Sequence, residues 1–325
     1  MDGLVDTHGA GGLRSAVVVN PAKLDDPDGL RRKINRMLAA AGWAPPIWLE
    51  TTVADPGRGQ TRQAVEAGVE VVLVCGGDGT IMSCVSELVG TDVALAILPC
   101  GTGNLLASNL GLSGDLTAAI EVAIGPGRRQ VDVGAIEGRC FTVMAGMGFD
   151  AQLLKSTSES TKARIGWLAY LMGGARHLRD RPMRVTIRID DQPPLRRRAR
   201  TVLVANVGRL QGGVRLLAAA EPDDGFLDVA VLTPRTVGHW LSLGWAVLCR
   251  RTRVPRMEVF RGQRVEVTSN RAQPRELDGD VITPGRTLRV KVLPRALWLC
   301  VPQGARRMDR PWEALVRFRQ ADDMS

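Results

Sequence analysis

Apolar residues along this chain follow two rhythms. Up to about residue 130, short unbroken apolar runs alternate with longer stretches whose apolar positions recur at helical spacing. Residues 16–20 (AVVVN), 47–52 (IWLETT), 69–75 (VEVVLVC) and 93–98 (VALAIL) have the β-branched, leucine-rich character of strands buried on both faces. Between them, residues 28–41 predict a helix with an Asp cap, basic outside and Leu30, Ile34, Met37 and Leu38 inside. Residues 59–67, 82–89, 104–109 and 116–124 read as further helices. Strands alternating with helices in this way predict a parallel sheet covered on both faces. The loops after Asn20, Thr52, Cys75 and Leu98 then emerge at its carboxyl edge, where open α/β sheets bind ligands.

The rhythm changes near Val131. Residues 131–135, 140–145, 183–189, 199–207, 227–232, 256–260, 264–268 and 287–293 read as short strands separated by turns. Helical patterns at 151–155, 162–178 and 237–250 interrupt them. This is the pattern of a mainly antiparallel β-sandwich. The basic run 196–200 predicts a solvated hairpin. In the tail, Trp312, Leu315, Val316 and Phe318 sit at helical spacing and suit packing on the first domain, a homodimer contact or a membrane surface.

Composition narrows the picture. Of the 325 residues, 45% are hydrophobic and 24% charged, the balance of a globular protein. No apolar stretch approaches the roughly 20 residues needed to span a bilayer. The best candidate, 240–249, ends in Arg250 and Arg251. The N-terminus lacks a basic region followed by an apolar core, so a cytoplasmic protein is expected. The six cysteines are scattered without a CxxC pair, which predicts reduced core thiols rather than disulfides or metal ligands. Three histidines argue against zinc chemistry. A net charge of +9 suits anionic lipid head groups. Nucleic acid is the other polyanion to consider, but only 4% of residues are aromatic, too few for base-stacking surfaces.

The chemistry gathers at glycines. GGDGT, Gly76 to Thr80, follows the strand at 69–75 and precedes a helix. Three glycines let backbone N–H groups approach a ligand closely, and the helix adds its positive dipole end, so the loop suits phosphate. Asp78 among them suits Mg²⁺ or a bound hydroxyl. A second such loop, PCGTGNLLA, follows the strand at 93–98; Gly101 permits close approach, and Thr102 and Asn104 offer neutral donors. No GxxxxGK[ST] occurs, which excludes a Walker-type loop. GMGFDA, residues 146–151, satisfies a dinucleotide pattern but lies outside the alternating region. Acids concentrate in two later turns, EPDDGFLD at 221–228 and ELDGD at 276–280. The first has oxygens for a hard cation, the second for a base or a cation, and both are also ordinary Asp-Gly hairpin chemistry.

The ordered set Asn20-Pro21, GGDGT, PCGTGNLLA, GMGFDA, PDDGFLD and LDGD resembles the bacterial diacylglycerol kinase family, which also includes sphingosine and ceramide kinases. The likeness spans about residues 14 to 302, and its wording is most similar to actinobacterial members. GGDGT alone is shared with NAD kinases. The resemblance implies a three-layer α/β nucleotide-binding domain at 14–132, a β-sandwich lipid-substrate domain at 133–295, and a segment at 296–325 that returns to the first domain, after a flexible N-terminus at 1–13. It implies an ATP- and Mg²⁺-dependent lipid kinase of phospholipid metabolism, with diacylglycerol converted to phosphatidic acid in a cleft between the domains. Another lipid kinase, an NAD kinase and a catalytically weak lipid-binding regulator are the alternatives.

By the same resemblance, Asn20, Pro21, Thr51 or Thr52, Gly76, Gly77, Asp78, Gly79, Thr80, Ile81, Gly101, Thr102 and Asn104 contact nucleotide. Asp224, with backbone carbonyls of Glu221 and Phe226, matches a structural Mg²⁺ loop. Asp280 stands where the family has its proton-accepting carboxylate, with Asp278 beside it. The chain departs from the family pattern in three places. Ala22-Lys23 replaces a serine-glycine pair, which gives Lys23 a phosphate contact. Met82-Ser83 replaces Asn-Glu, and Asp280 is one methylene shorter than the usual Glu. The implied partners are a lipid substrate and anionic lipid at a membrane surface, with no nucleic acid. Trp240, Leu241, Leu243, Trp245 and Leu248 either line a lipid site or belong to a buried helix.

Overall fold

Four parallel strands carry the N-terminal half: β1 (Ser15–Val19), β2 (Ile47–Glu50), β3 (Val71–Gly76) and β4 (Ala94–Pro99), in the order β4-β3-β1-β2. Every residue of β1 and β3 is buried. Side chains alternate across a strand, so such runs need cover on both sides. On one face Val17, Val19, Leu73, Ala96 and Leu98 pack against Leu30, Ile34 and Leu38 of α1 (Pro27–Ala40) and Ala119, Ile120 and Ala123 of α4 (Leu116–Ile124). Residues of the other parity, among them Val18, Val72, Val74 and Ile97, are equally buried. The remaining helices, α2 (Arg58–Glu66) and α3 (Asp78–Leu88), pack on each other and on β1 and β3. The result is the expected three-layer α/β arrangement. This computed structural model describes residues 12–100, 106–107, 115–148, 182–208, 217, 220–249 and 254–303. It divides into two units, one running to Val131 and taking in Ala296–Cys300, the other Asp132–Arg295 with the chain from Val301.

Local chemistry moves two helix starts earlier than the sequence pattern predicts. The cap of α1 is Asp26, whose Oδ1 accepts from the Gly29 N–H at 2.8 Å, with Pro27 next in the chain. Asp28 lies in the first turn, where its charge faces the positive helix end. Helix α3 starts at Asp78 rather than Met82, so the last three residues of GGDGT are its first turn.

A disulfide joins Cys75 and Cys100, with 5.6 Å between their Cα atoms, and this corrects the expectation of reduced thiols. The two are 25 residues apart in sequence. Parallel pairing of β3 with β4 sets Gly76 beside Pro99 and thereby brings the cysteines together. Sequence spacing does not show this adjacency. Cys84 and Cys300 are buried thiols, pushed up to about 12 and about 11 by burial.

The second unit is the antiparallel β-sandwich. Strands β7 (Met144–Met147), β10 (Thr201–Ala205), β11 (Leu227–Leu232), β12 (Met257–Gly262), β13 (Arg264–Leu277) and β14 (Asp280–Cys300) run in the order β12-β11-β10-β7-β13-β14. β8 (Met183–Ile189) adds to β13 and carries the edge strand β9 (Leu195–Ala199), while β5 (Arg128–Ile136) pairs with β6 (Arg139–Phe141). Phe141, Met147, Ile187, Leu227 and Leu288 fill the core. The end of β14, Ala296–Cys300, pairs with β4 through Trp298 and Leu299.

β13 and β14 are 14 and 21 residues long, far beyond the 264–268 and 287–293 that periodicity predicts. Pro274, Pro284 and interspersed charges break the alternation, and the register shifts between Thr268 and Arg275. Asp278 and Gly279 form the two-residue turn between them, with φ of 48° and 89°, the backbone of a type I′ hairpin. The helical patterns at 151–155 and 162–178 and the tail residues Trp312, Leu315, Val316 and Phe318 lie outside the described residues.

Thiol titration of the denatured chain without reductant is expected to find four thiols, rising to six after reduction. Six thiols in carefully oxidised protein would remove the Cys75–Cys100 link.

Candidate active site

The first half of the site forms at the carboxyl edge of the parallel sheet. β3 ends at Gly76, and Gly77 N-caps α3 with no side chain hydrogen-bonded there. A Cβ on Gly76 would lie 2.7 Å from the Thr80 Cβ, so glycine at this position lets the helix begin directly against the strand. A Cβ on Gly77 or Gly79 would meet nothing within 4 Å. Those two glycines therefore border open space at the positive end of a helix, the physical requirement for a phosphate cradle. Asp78 is in the first turn and partly exposed.

Neighbouring strand ends converge on this place. The Asn20 N–H donates to the Cys75 carbonyl at 2.9 Å, and the Asn20 side chain accepts from the Ala22 N–H at 3.1 Å, starting a 3-10 turn over Pro21–Lys23. Pro21 and Lys23 are exposed. The Thr51 N–H donates to the Val19 carbonyl at 2.8 Å, but the Thr51 side chain is buried. Thr52 is the exposed one of the pair, and its hydroxyl accepts from the Asp55 N–H. Asp55 in turn caps α2 through the N–H groups of Arg58 and Gly59, a role the periodicity did not signal. Thr80 is buried under Gly76, and Ile81 points into the core, so neither side chain faces the open space. Gly101, Thr102 and Asn104 lie outside the described residues.

The acids of ELDGD have three different environments. Asp280 begins β14 and is exposed. The Asp278 carboxylate accepts from the N–H groups of Thr142, Val143 and Met144 at 2.8, 2.9 and 2.8 Å, and from the Thr142 hydroxyl at 3.2 Å. Burial pushes it up to about 6, against the lowering pull of those donors. These contacts make Asp278 a fastener of the hairpin that carries Asp280. Glu276 is only 1% exposed, and neither carboxylate oxygen has a hydrogen-bond partner among the described residues. Burial, then the charge of Asp278, pushes it up to about 7.

The turn at 221–228 has side-chain partners of its own. The Arg261 guanidinium meets the Asp224 carboxylate and lies 5.0 Å from the Phe226 ring centre. Asp132 accepts from the N–H groups of Gly225 at 2.6 Å and Arg295 at 2.8 Å. No group of three or more acid, histidine or cysteine side chains among the described residues is arranged to hold a metal. Asp224, of the proposed Mg²⁺ loop with Glu221 and Phe226, has Arg261 as its side-chain partner. In GMGFDA, Gly146 leaves room for Glu276 and Gly148 has φ of 85°, so strand packing accounts for the glycines of the dinucleotide-like pattern. In α5 (Val237–Leu248), Trp240 and Leu243 are buried while Trp245 is 61% exposed.

Two measurements check these environments. Dialysis against EDTA tests the Mg²⁺ loop at 221–228: a drop in melting temperature reversed by Mg²⁺ is expected, and an unchanged melting temperature would remove the ion from that loop. The pH dependence of stability tests Glu276. Its ordinary value of 4.5 rises to about 7 in the fold, so its contribution is complete below 4.5 and fades as pH rises through about 7. Glu276→Gln is expected to flatten the decline in melting temperature between roughly pH 4.5 and 7. An unchanged slope would contradict the burial.

Comparison with known proteins agrees with this division. The diacylglycerol kinase catalytic domain model matches residues 14–136, and the YegS C-terminal NAD kinase beta sandwich-like domain model matches residues 143–301. A "Probable lipid kinase YegS-like" of Pseudomonas aeruginosa (strain UCBPP-PA14) is 32% identical over 261 residues, covering 77% of this chain and 82% of the relative. One from Chromohalobacter salexigens is 33% identical over 257 residues, covering 75% and 80%. These relatives do not bear on the actinobacterial likeness of the wording. A diacylglycerol kinase structure from Bacillus anthracis str. Sterne superposes with a TM-score of 0.74 at 22% identity, covering 91% of this chain and 99% of the other, which shows the shared fold. With one model matched in each half and curated relatives above 30% identity across most of its length, the chain belongs to the YegS-like, diacylglycerol kinase family of lipid kinases.

Proposed function

We propose that this chain transfers the γ-phosphoryl group of ATP, taken as its Mg²⁺ complex, to the hydroxyl of a membrane lipid, with diacylglycerol as acceptor and phosphatidic acid as product. The observation that carries the reading is the open space bordered by Gly77 and Gly79 at the start of α3, in the unit matched by the kinase catalytic domain. Phosphoryl transfer passes through a loose transition state, so the protein works mainly by positioning and by offsetting charge. The first turn of α3 supplies N–H groups and dipole for the phosphates, and Lys23 and Asn20 stand on the adjoining strand end. Asp280 is the acid left to orient the acceptor hydroxyl and take its proton late, since the Asp278 oxygens are already engaged.

Peripheral contact with anionic lipid has support in the second unit. An open groove of about 800 Å³ is lined by Arg184, Arg196, Arg197, Arg198, Arg235 and Arg256. Glu258 is the acid on its wall and pairs with Arg197 at 2.9 Å. No aromatic residue lines it, so it offers phosphate contacts without a base-stacking surface. The run at 196–200 is thus both the solvated hairpin expected and one wall of this groove. No helix among the described residues is long and apolar enough to cross a membrane.

Incubation with labelled ATP, Mg²⁺ and a total lipid extract, with NAD as a parallel acceptor, is expected to label a single lipid class that co-migrates with phosphatidic acid. Label on NAD, or on no acceptor, would overturn the reading. Asp280→Asn is expected to abolish turnover while nucleotide binding persists; full activity would remove Asp280 from its role. Gly77→Val fills the open space and is expected to weaken ATP binding roughly tenfold, about 1.4 kcal/mol.

A further inference from the structure

Helix α5 lacks the charged outer face of an ordinary surface helix. Trp240, Leu243 and Ala246 are buried at helical spacing and form its covered side. The other side shows Gly238, Ser242, Trp245 and, just past its end, Cys249. None of these is charged, and Trp245 is 61% exposed. Surface helices ordinarily turn charged and polar residues outward. An indole, apolar in its ring and polar at its N–H, suits a boundary between water and an apolar phase.

The chain around this helix has the opposite character. The stretch 229–257, which contains α5, has five arginines and no acid. Its neck is closed where the Thr233 N–H donates to the Arg256 carbonyl at 2.9 Å. Thr233, Arg235 and Arg256 at that neck also line the arginine groove, so α5 leaves the sandwich at the groove's edge.

The groove holds unbalanced charge. Arg197 is paired with Glu258, but the guanidinium groups of Arg184, Arg196, Arg198, Arg235 and Arg256 have no partner among the described residues. Register sets Arg184 of β8 directly opposite Arg198 of β9. Like charges so placed destabilise a strand pair, and no acid among the described residues pairs with either. Anions from outside offset that cost. The phosphates of a bilayer surface supply many at once, whereas one free phosphate meets only part of a row spread over β8, β9 and the neck.

We infer that α5 and the arginine groove form one docking face for an anionic membrane surface, with Trp245 seated among the head groups and the free guanidinium groups on their phosphates. The lipid-kinase reading supplies the bilayer, and the inference adds which face meets it. Interfacial binding scales with the apolar area buried plus the attraction to anionic lipid, so both halves contribute.

The test is co-sedimentation of the full chain, without ATP, with vesicles of phosphatidylcholine alone or mixed with phosphatidylglycerol. The parent protein is expected to bind the mixed vesicles and not phosphatidylcholine alone, and to bind less as salt rises. Arg196→Glu combined with Arg198→Glu is expected to weaken that binding roughly tenfold or more. Because Arg198 faces Arg184, this variant is expected to melt no lower than the parent. Brominated lipid in the vesicles is expected to quench the parent's tryptophan fluorescence, and Trp245→Gln to bind more weakly and lose that quenching. Failure to bind the mixed vesicles, equal binding to both vesicle types, or parent-like binding by either variant overturns the inference. So does tighter binding to single-stranded DNA than to the mixed vesicles, or a dimer that Trp245→Gln breaks, since each gives the face to another partner. No turnover is measured, so a chain that binds the vesicles yet phosphorylates no lipid fails only the lipid-kinase reading.

Discussion

Burial of β3 on both faces is the constraint from which the nucleotide side of this protein follows. A strand with all six residues buried needs a helix layer on each side and a parallel neighbour at each edge. Those neighbours, β1 and β4, are in register so that Val19, Cys75 and Leu98 end at one level. The chain must therefore turn at the same edge three times. At β3 it turns within two glycines, and α3 starts at once. The open space beside Gly77 is then a consequence of close strand-to-helix packing at Gly76 combined with the lack of any side chain beyond it. The Cys75–Cys100 link ties the ends of β3 and β4 together at this same level.

The second unit uses a different device. Two of its carboxylates serve as local substitutes for backbone partners. Asp278 gathers the N–H groups of Thr142 to Met144, and Asp132 gathers those of Gly225 and Arg295. Each charged acceptor satisfies donors in irregular chain that no sheet ladder reaches, and hydrogen bonds to an ionised group are stronger than neutral ones. An acid-rich turn is therefore no sign of a metal by itself. At Asp224 the partner is a side chain, the Arg261 guanidinium.

Much of this was legible in the sequence, for reasons that also mark the limits. The runs at 69–75 and 93–98 could be read because a strand buried on both sides leaves no polar position to confuse the pattern. GGDGT could be read as a loop, but its last three residues are helical, since glycines hide a helix start from periodicity. Cys75 and Cys100 could not be paired, because their contact depends on strand order and register. The long hairpin of β13 and β14 was read as two fragments, because its bulges near Gln273 and Arg275 interrupt the alternation on which strand recognition depends. ELDGD at 276–280 could be read as a cluster of acids, but not the different surroundings of Glu276, Asp278 and Asp280, which depend on the hairpin register.

Hairpin geometry separates those three acids. Across the turn, Leu277 pairs with Asp280 and Glu276 with Val281, and directly paired residues point to the same face. Asp280 thus shares a face with Leu277, and Glu276 lies on the opposite one. A one-residue step along a strand changes which side of the sheet a group serves, whatever its reach. The extra methylene of Glu276 therefore cannot stand in for the one that Asp280 lacks relative to the family's usual glutamate.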